Sequence, residues 1–287
     1  MIDLHTHTTA SDGSFEPAQL IEAAVAAKLD ALSITDHDTF AGYEEARPFA
    51  EKAGLDLICG IELSTKMPQP GKPRGRSIHL LGYFPKGEPA NEFQDWIRQL
   101  GESRKDRNLR LAKRLQELNI DVTIEEVEAR GRNMAGRPHF AQILVEKGYV
   151  TTLQEAFDRY LDEKAEAYVD REEPMLGEGI RRINDAGGVA SLAHPIRMGK
   201  RRPGEEEDAI RQMAKMGLLA IEAYHSDHTE RDVERYQLIA RRYELAVTGG
   251  SDFHGTNKPG VLVGSGKNGN VAVPNKVLDR LKQLAKV

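Results

Sequence analysis

The sequence predicts an α/β fold, a parallel sheet closed into a barrel, with a helical insertion breaking the alternation. Three observations carry this. Seven short, near-continuously apolar runs are each bounded by turn signals, as suits strands buried on both faces. Helical patterns fall between most of them, which implies parallel strands joined by crossovers. The runs mostly end in histidine, aspartate or glutamate, and a barrel gathers its strand C-termini on the face where such enzymes keep their chemistry.

Taken in order, "IDL" ends at His5 and His7. A helix is expected over 16–28, with Pro17 near its start and Leu20, Ile21, Ala24 and Val25 on one face. "DALSIT" ends at Asp36-His37-Asp38, and a helix follows over 40–53. "LDLICGI" ends at Glu62, and "KMPQPGKPRGR" (66–76) reads as a basic Pro/Gly-rich loop. "SIHLLGYF" carries His79 inside the run rather than after it. An apolar stripe of Ile97, Leu100, Leu111, Leu115 and Leu118 comes next, interrupted by "GESRKDRN" at 101–108. Further helical patterns, "TIEEVEA", "RPHFAQILVEKG" and "TLQEAFDRYL", make 101–168 a helical insertion, with 1–100 and 169–287 forming the barrel. "GGVASLA" then ends at His194, "GLLAIEAY" at His225, and "ELAVTGG" at Asp252 and His254, with helices expected over 205–217, 229–243 and 274–286.

Composition fits this size of fold and excludes other classes. The 287 residues suit one barrel carrying an insertion, and 39% hydrophobic with 30% charged residues allows a sizeable core. A net charge of −5 argues against coating nucleic acid, so no extended duplex DNA binding is expected. The single cysteine, Cys59, excludes an internal disulfide and suits a reducing compartment. The opening "MIDL" shows no signal-peptide pattern and no apolar stretch approaches membrane-spanning length, so a cytoplasmic location without membrane contact is expected.

Nine candidate ligands stand at or near the run ends: His5, His7, Asp12, His37, Glu62, His79, His194, Asp252 and His254. All are nitrogen or oxygen donors, which suits Mn, Fe or Zn at a catalytic centre. At three or more ligands per ion they would serve two or three divalent metals with a carboxylate as bridge, a device for clamping phosphate oxygens. Singly, each has a plainer reading. Asp12 in "SDG" suits a turn, Glu62 a loop start and Asp252 a helix cap. Their shared placement is what points to metal, and by that logic His79 is the weakest.

The elements "DLHTHT", "SDG", "TDHDT", "GIE", "IHLLGY", "AHP" and "GSDFHG" resemble, in order, those of the PHP (polymerase and histidinol phosphatase) superfamily of metal-dependent phosphoesterases. That resemblance implies a distorted (β/α)7 barrel with three metals. His5, His7, Glu62 and Asp252 would hold one; Glu62, His79 and His194 the second; Asp12, His37 and His254 the third. Asp12 stands where many members of the family carry histidine. The insertion with "GRPHFA", together with "EAYHSDH" and "HPIR", is similar to the branch of 3′,5′-nucleoside bisphosphate phosphatases and 5′→3′ exoribonucleases of the RNase AM type.

Around the ligands, Asp36 and Asp38 flank His37 and either orient it or cap the next helix. Arg137 and His139 open a helix in "GRPHF", where an N-terminus and a guanidinium could take an anion or simply cap. Arg104 and Asn108 fall where the stripe should be apolar, facing either solvent or a polar cleft. Arg197, three residues beyond His194, could reach a phosphate, while the neighbouring "GKRR" reads as a surface loop. His225 could donate a proton to the leaving oxygen or bind phosphate, and Lys258 could be another phosphate contact.

The expected activity is removal of the 3′-phosphate from a 3′,5′-nucleoside bisphosphate by a metal-bridging hydroxide near Glu62 and Asp252. The substrate is a small nucleotide or a short oligoribonucleotide. The alternatives are a 5′→3′ exoribonuclease on short 5′-phosphorylated RNA, a histidinol-phosphate phosphatase, and a catalytically silent PHP module that only binds.

Overall fold

The computed structural model describes residues 1–69, 72–131, 135–171, 173–199 and 204–286. The chain divides into two compact units, Met1–Asp95 with Glu173–Val287, and Trp96–Glu172.

In the first unit a seven-stranded sheet runs in sequence order: β1 (Ile2–Thr6), β2 (Ala31–Ile34), β3 (Asp56–Gln69), β4 (Lys72–Phe84), β5 (Val189–Leu192), β6 (Ala220–His225) and β7 (Ala246–Gly250). Among the helices that accompany it are α1 (Pro17–Ala26), α2 (Ala41–Ala53), α7 (Leu176–Asp185), α8 (Glu205–Lys215) and α9 (Glu230–Arg242). The sheet is parallel except at β4, which runs antiparallel to both neighbours. This corrects the expectation of a wholly parallel sheet. The basic segment 66–76, expected as a loop, instead extends β3 and β4 into a long hairpin, with residues 70 and 71 outside the described residues. Two adjacent antiparallel strands need only a tight connection, whereas a parallel pair needs a crossover.

Local chemistry explains the helix boundaries. Glu16 and Gln19 form a capping box around Pro17 at the start of α1. Thr229 and Asp232 do the same for α9. Helix α7 went unforeseen in the sequence, because Gly177 and Gly179 lower its propensity and mask the stripe of Leu176, Ile180 and Ile183. Gly179 is there for packing: a Cβ at that position would meet Thr65, Leu63 and Leu80 at 2.9–3.1 Å.

The barrel closes where β1 meets the segment just beyond β7. His5 O accepts from Asp252 N at 2.8 Å, and His7 N donates to Phe253 O at 2.9 Å. Gly250 makes this approach possible, since a Cβ there would lie 2.3 Å from His5 N. Buried Asp3 clasps the same seam. Its carboxylate accepts from Ser251 N (2.8 Å), Ser251 Oγ (2.6 Å), Gly264 N (2.7 Å) and His5 N (3.3 Å). The helix α10 (Lys276–Leu284) brings Val277, Leu278 and Leu281 into one apolar cluster with Ile2, Leu4, Ile58 and Tyr83. Full burial of each such side chain contributes roughly 1.5–3 kcal/mol.

The second unit is helical. The helix α3 (Asn91–Glu117) leads into it, followed by α4 (Ile124–Gly131), α5 (Arg137–Glu146), α6 (Leu153–Ala156) and one wide turn at Phe157–Leu161. The helix α3 runs unbroken through 101–108, where the apolar stripe lapses, since Glu, Arg and Lys are good helix formers. Leu111, Leu115, Val127, Phe140, Leu144 and Leu161 form this unit's own core.

Replacing Asp3 by Ala strands several buried N–H groups at the seam. Urea unfolding should show a loss of about 3 kcal/mol, at the upper end for buried donors left unpaired.

Candidate metal centre

The nine donors picked out in the sequence meet at the strand C-terminal end of the barrel. His5 and His7 come from the end of β1, His37 from the turn after β2, and His194 from the turn after β5. Asp252 and His254 follow β7. Glu62 lies within β3 rather than at its end, level with His37, to which it is bridged. His79 looked misplaced in the middle of its run, and the reversal of β4 explains it. An antiparallel strand enters at the rim where its parallel neighbours leave, so His79 pairs with Ser64 and its carbonyl accepts from Ala193 N, beside His194.

Glu62 is the hub. Its Oε1 lies 2.7 Å from His194 Nε2 and 2.8 Å from His79 Nδ1. Its Oε2 lies 3.1 Å from His7 Nε2, 3.3 Å from His5 Nε2 and 3.4 Å from His37 Nδ1. Asp252 divides its oxygens in the same manner. Oδ1 faces His5 Nε2 (3.5 Å), His7 Nε2 (3.6 Å) and His254 Nδ1 (3.5 Å). Oδ2 takes Arg197 Nη2 (2.8 Å), His225 Nε2 (3.1 Å) and Lys258 Nζ. Asp12 lies 3.3 Å from His254 Nε2, 3.4 Å from His7 Nδ1 and 3.7 Å from His37 Nε2. Seven of the donors, with Arg197, Asn257 and Lys258, line a cavity of about 320 Å³, and the fully buried His5 and His7 lie behind them.

The electrostatics suit cation binding. Burial opposes charge on Glu62, yet His37, His79 and His5 hold its carboxyl well below the usual range. Burial depresses His7 to about 3 and His194 to about 4, so both rings offer lone pairs at neutral pH. His5 Nε2 and His7 Nε2 face one another at 3.2 Å, while His5 Nδ1 meets Glu222 and His7 Nδ1 meets Ser11. Two bare ring nitrogens that close require a proton or a cation between them. His37 Nδ1 is buried without a hydrogen bond. Groups of three or four donor atoms, among them His7, Asp12, His37 and His254, and His37, Glu62 and His79, lie within 4.8 Å of one another. The residues therefore fit divalent metal ions, by donor chemistry and by spacing.

Other expected residues take more specific places. Asp36 does not touch His37. It accepts from Thr8 N (2.8 Å), Thr8 Oγ1 (2.7 Å) and Ser11 Oγ (2.5 Å), and Ser11 in turn meets His7 Nδ1. Asp38 accepts from Ser64 N at 2.7 Å, and Thr39 rather than either aspartate receives the Ala41 N–H at the start of α2. His225 is fully buried behind Asp252, its Nδ1 taking the Asp227 N–H at 3.0 Å. Both ring nitrogens are thus engaged, which places it behind the carboxylate rather than against a phosphate. Arg197 also reaches Asp227 Oδ2, at 2.6 Å. Most of "GKRR" lies outside the described residues.

In the helical unit, Asn108 is buried and donates to Ala135 O at 2.7 Å, an internal tie rather than the solvent-facing or cleft position expected. Arg137 Nη1 donates to Leu161 O (3.3 Å), and His139 Nδ1 accepts from Gly136 N (3.1 Å), capping α5. Arg104 is half-buried on α3. Two residues escaped the sequence reading. Asp3 and Glu222 both sit inside apolar strands, and a carboxylate within a fully buried run was the available signal.

The PHP domain model matches residues 3–170. The chain belongs to the PHP domain family and is a hydrolase of the phosphoesterase kind. It is 31% identical to a 5′-3′ exoribonuclease of Haemophilus influenzae, covering 88% of this chain and 89% of that one. It is 31% identical to a 3′,5′-nucleoside bisphosphate phosphatase of Chromobacterium violaceum, over 92% and 90%. A phosphoribosyl 1,2-cyclic phosphate 1,2-diphosphodiesterase of Eggerthella lenta is 32% identical, over 88% and 94%. A crystal structure from Bifidobacterium adolescentis, assigned to the metal-dependent phosphoesterases, superposes with a TM-score of 0.77 at 31% identity, over 100% and 96%. No helix among the described residues is long and apolar enough to cross a membrane.

Asp252→Asn keeps a side chain that tolerates the left-handed backbone at this position (φ 55°) while removing the charge. Elemental analysis after dialysis against Mn(II) should show at least one ion fewer per chain than wild type. Undiminished metal content would remove Asp252 from the centre.

Proposed function

We propose that this chain removes the 3′-phosphate of 3′,5′-nucleoside bisphosphates, giving nucleoside 5′-monophosphates and phosphate. One observation carries the reading: Arg197 and Lys258 converge on Asp252 Oδ2 at the edge of a cavity lined by clustered imidazoles and carboxylates. Two cationic side chains beside a metal-type donor set suit a terminal phosphate. The similarity to a bisphosphate phosphatase over nine-tenths of both chains supports the same substrate class.

In this proposal His5, His7, Glu62 and Asp252 would hold one ion, Glu62, His79 and His194 a second, and Asp12, His37 and His254 a third. The ions are Mn, Fe or Zn, the metals that imidazole and carboxylate donors suit. When bound, divalent cations supply Lewis acidity and an activated water at such a site. The protein's own groups do the rest. Glu62 spans both sides of the centre with its two oxygens. Arg197 and Lys258 exchange the Asp252 carboxylate for phosphate oxygens as substrate enters. His225 keeps Asp252 Oδ2 hydrogen-bonded when they leave, so the carboxylate stays aimed. The buried thiol Cys59 suits a reducing compartment, and we place the reaction in the cytoplasm.

A second reading is favoured by the similarity to an exoribonuclease at the same identity. Stepwise release of mononucleotides from 5′-phosphorylated RNA breaks an equivalent ester bond. Histidinol phosphate, by contrast, has no support among the relatives reported above.

Phosphate release from a panel of nucleotides should show the bisphosphate as the preferred substrate, with the 5′-phosphate retained in the product. Preference for a phosphoribosyl 1,2-cyclic phosphate would overturn the assignment. The Arg197→Ala and Lys258→Ala variants should each raise KM by roughly tenfold, the scale of one lost charge-assisted contact. Length-resolved digestion of a 5′-phosphorylated oligoribonucleotide decides the second reading: a ladder of mononucleotide losses supports it, and an intact oligonucleotide excludes it.

A further inference from the structure

Glu222 belongs to neither the ligand set nor the phosphate contacts, yet it touches two of the proposed ligands at once. It lies on β6, inside the barrel, with no solvent exposure. Its Oε1 lies 2.8 Å from His5 Nδ1, and its Oε2 accepts the backbone N–H of His194 at 2.6 Å. We propose that Glu222 is a positioning residue that sets the His5 ring and the His194 backbone together, arming both halves of the metal centre from one buried carboxylate. The proposal rests on the metal-centre reading above.

The argument starts from hydrogen-bond chemistry. An ionised carboxylate only accepts, so the proton shared with His5 belongs to Nδ1. His5 Nε2 is then the nitrogen directed at the centre, 3.3 Å from Glu62 Oε2 and 3.5 Å from Asp252 Oδ1, where a cation would take the place of a second proton. The partner on one ring nitrogen decides which lone pair the other can offer to a metal.

His194 needs support of a different kind. Its φ is +27°, in the left-handed region that a residue with a Cβ adopts only when its surroundings hold it there. The Glu222 bond anchors the amide at that turn, and the ring then reaches Glu62 Oε1 at 2.7 Å. Glu222 therefore governs one ring on each oxygen of the Glu62 hub. Its two oxygens are taken by His5 Nδ1 and the His194 amide. The adjacent His225 is engaged as well, between Asp252 Oδ2 and the Asp227 N–H.

The isosteric Glu222→Gln variant separates positioning from mere space-filling. Its single amide oxygen can accept from His5 or from His194, but not from both. If the oxygen serves His194, the amide NH2 faces His5 Nδ1 and drives the ring proton to Nε2. Wild type and variant would be titrated with Mn(II), and both would be loaded with Zn(II) for 15N-histidine NMR, with a His5→Asn sample to assign the His5 signals. The expected result is a Mn(II) affinity lowered by about 10- to 100-fold, the usual effect of losing a ligand's outer partner. Wild-type His5 should carry its proton on Nδ1 and lose that signature in the variant. Glu222→Asp, which remains an acceptor, should keep the Nδ1 proton. Wild-type Mn(II) affinity in Glu222→Gln would overturn the proposal, as would a wild-type His5 protonated on Nε2. The second result needs no variant, so it stands even if Glu222→Gln does not fold. Wild-type protein that takes up neither ion would instead sink the metal-centre reading itself.

Discussion

A single carboxylate, that of Glu62, sets the terms for the rest of the molecule. It is almost wholly buried and has five imidazoles within 3.4 Å, two on one oxygen and three on the other. A lone buried carboxylate would be heavily penalised, and the surrounding rings convert that penalty into a low pKa and a strong local field. The architecture follows from keeping those rings in place. Three strands, β1, β2 and β5, must end around one residue of β3, and β4 must run backwards to deliver His79.

Behind this cluster stands a set of buried carboxylates that bind no substrate in our reading but hold the loops that do. Asp3 clasps β1 to Ser251, the residue before Asp252. Asp36 ties down Thr8 and Ser11 in the turn that carries Asp12. Asp38 holds Ser64, two residues beyond Glu62. Glu222 holds His5 and His194. In each case acceptor oxygens meet backbone or side-chain N–H and O–H groups that would otherwise be buried and unpaired. The barrel interior near the centre is accordingly polar, and its precision comes from hydrogen bonds of fixed direction more than from packing.

Much of this was legible in the sequence because it is local. Seven strands could be read as apolar runs, and most helix limits came from period and from start signals such as Pro17. The donors stood out because histidines and acids end so many of the runs. What escaped was non-local. The β3–β4 hairpin was hidden by a Pro/Gly-rich stretch that resembles a loop, and α7 by its glycines. Asp36 beside His37 suggested direct orientation of that ring, yet its side chain turns to residues 8 and 11, just beyond the neighbouring strand β1. Arg137, His139 and Asn108 offered the polar groups of a binding site, and the structure shows each of them bonded within its own helical unit.

The sequence by itself determined the strand content, the alternation with helices, the helical insertion and the roster of nitrogen and oxygen donors. Each depends on the residue's own chemistry and on neighbours within a few positions. Only the tertiary structure decided the direction of β4, the division of the Glu62 and Asp252 oxygens between partners, and the placing of Glu222 between His5 and His194. Glu222 is 217 residues from His5 and 28 from His194, and no periodicity spans such distances. What joins them is barrel closure, which brings β1, the turn after β5 and β6 together around one buried carboxylate.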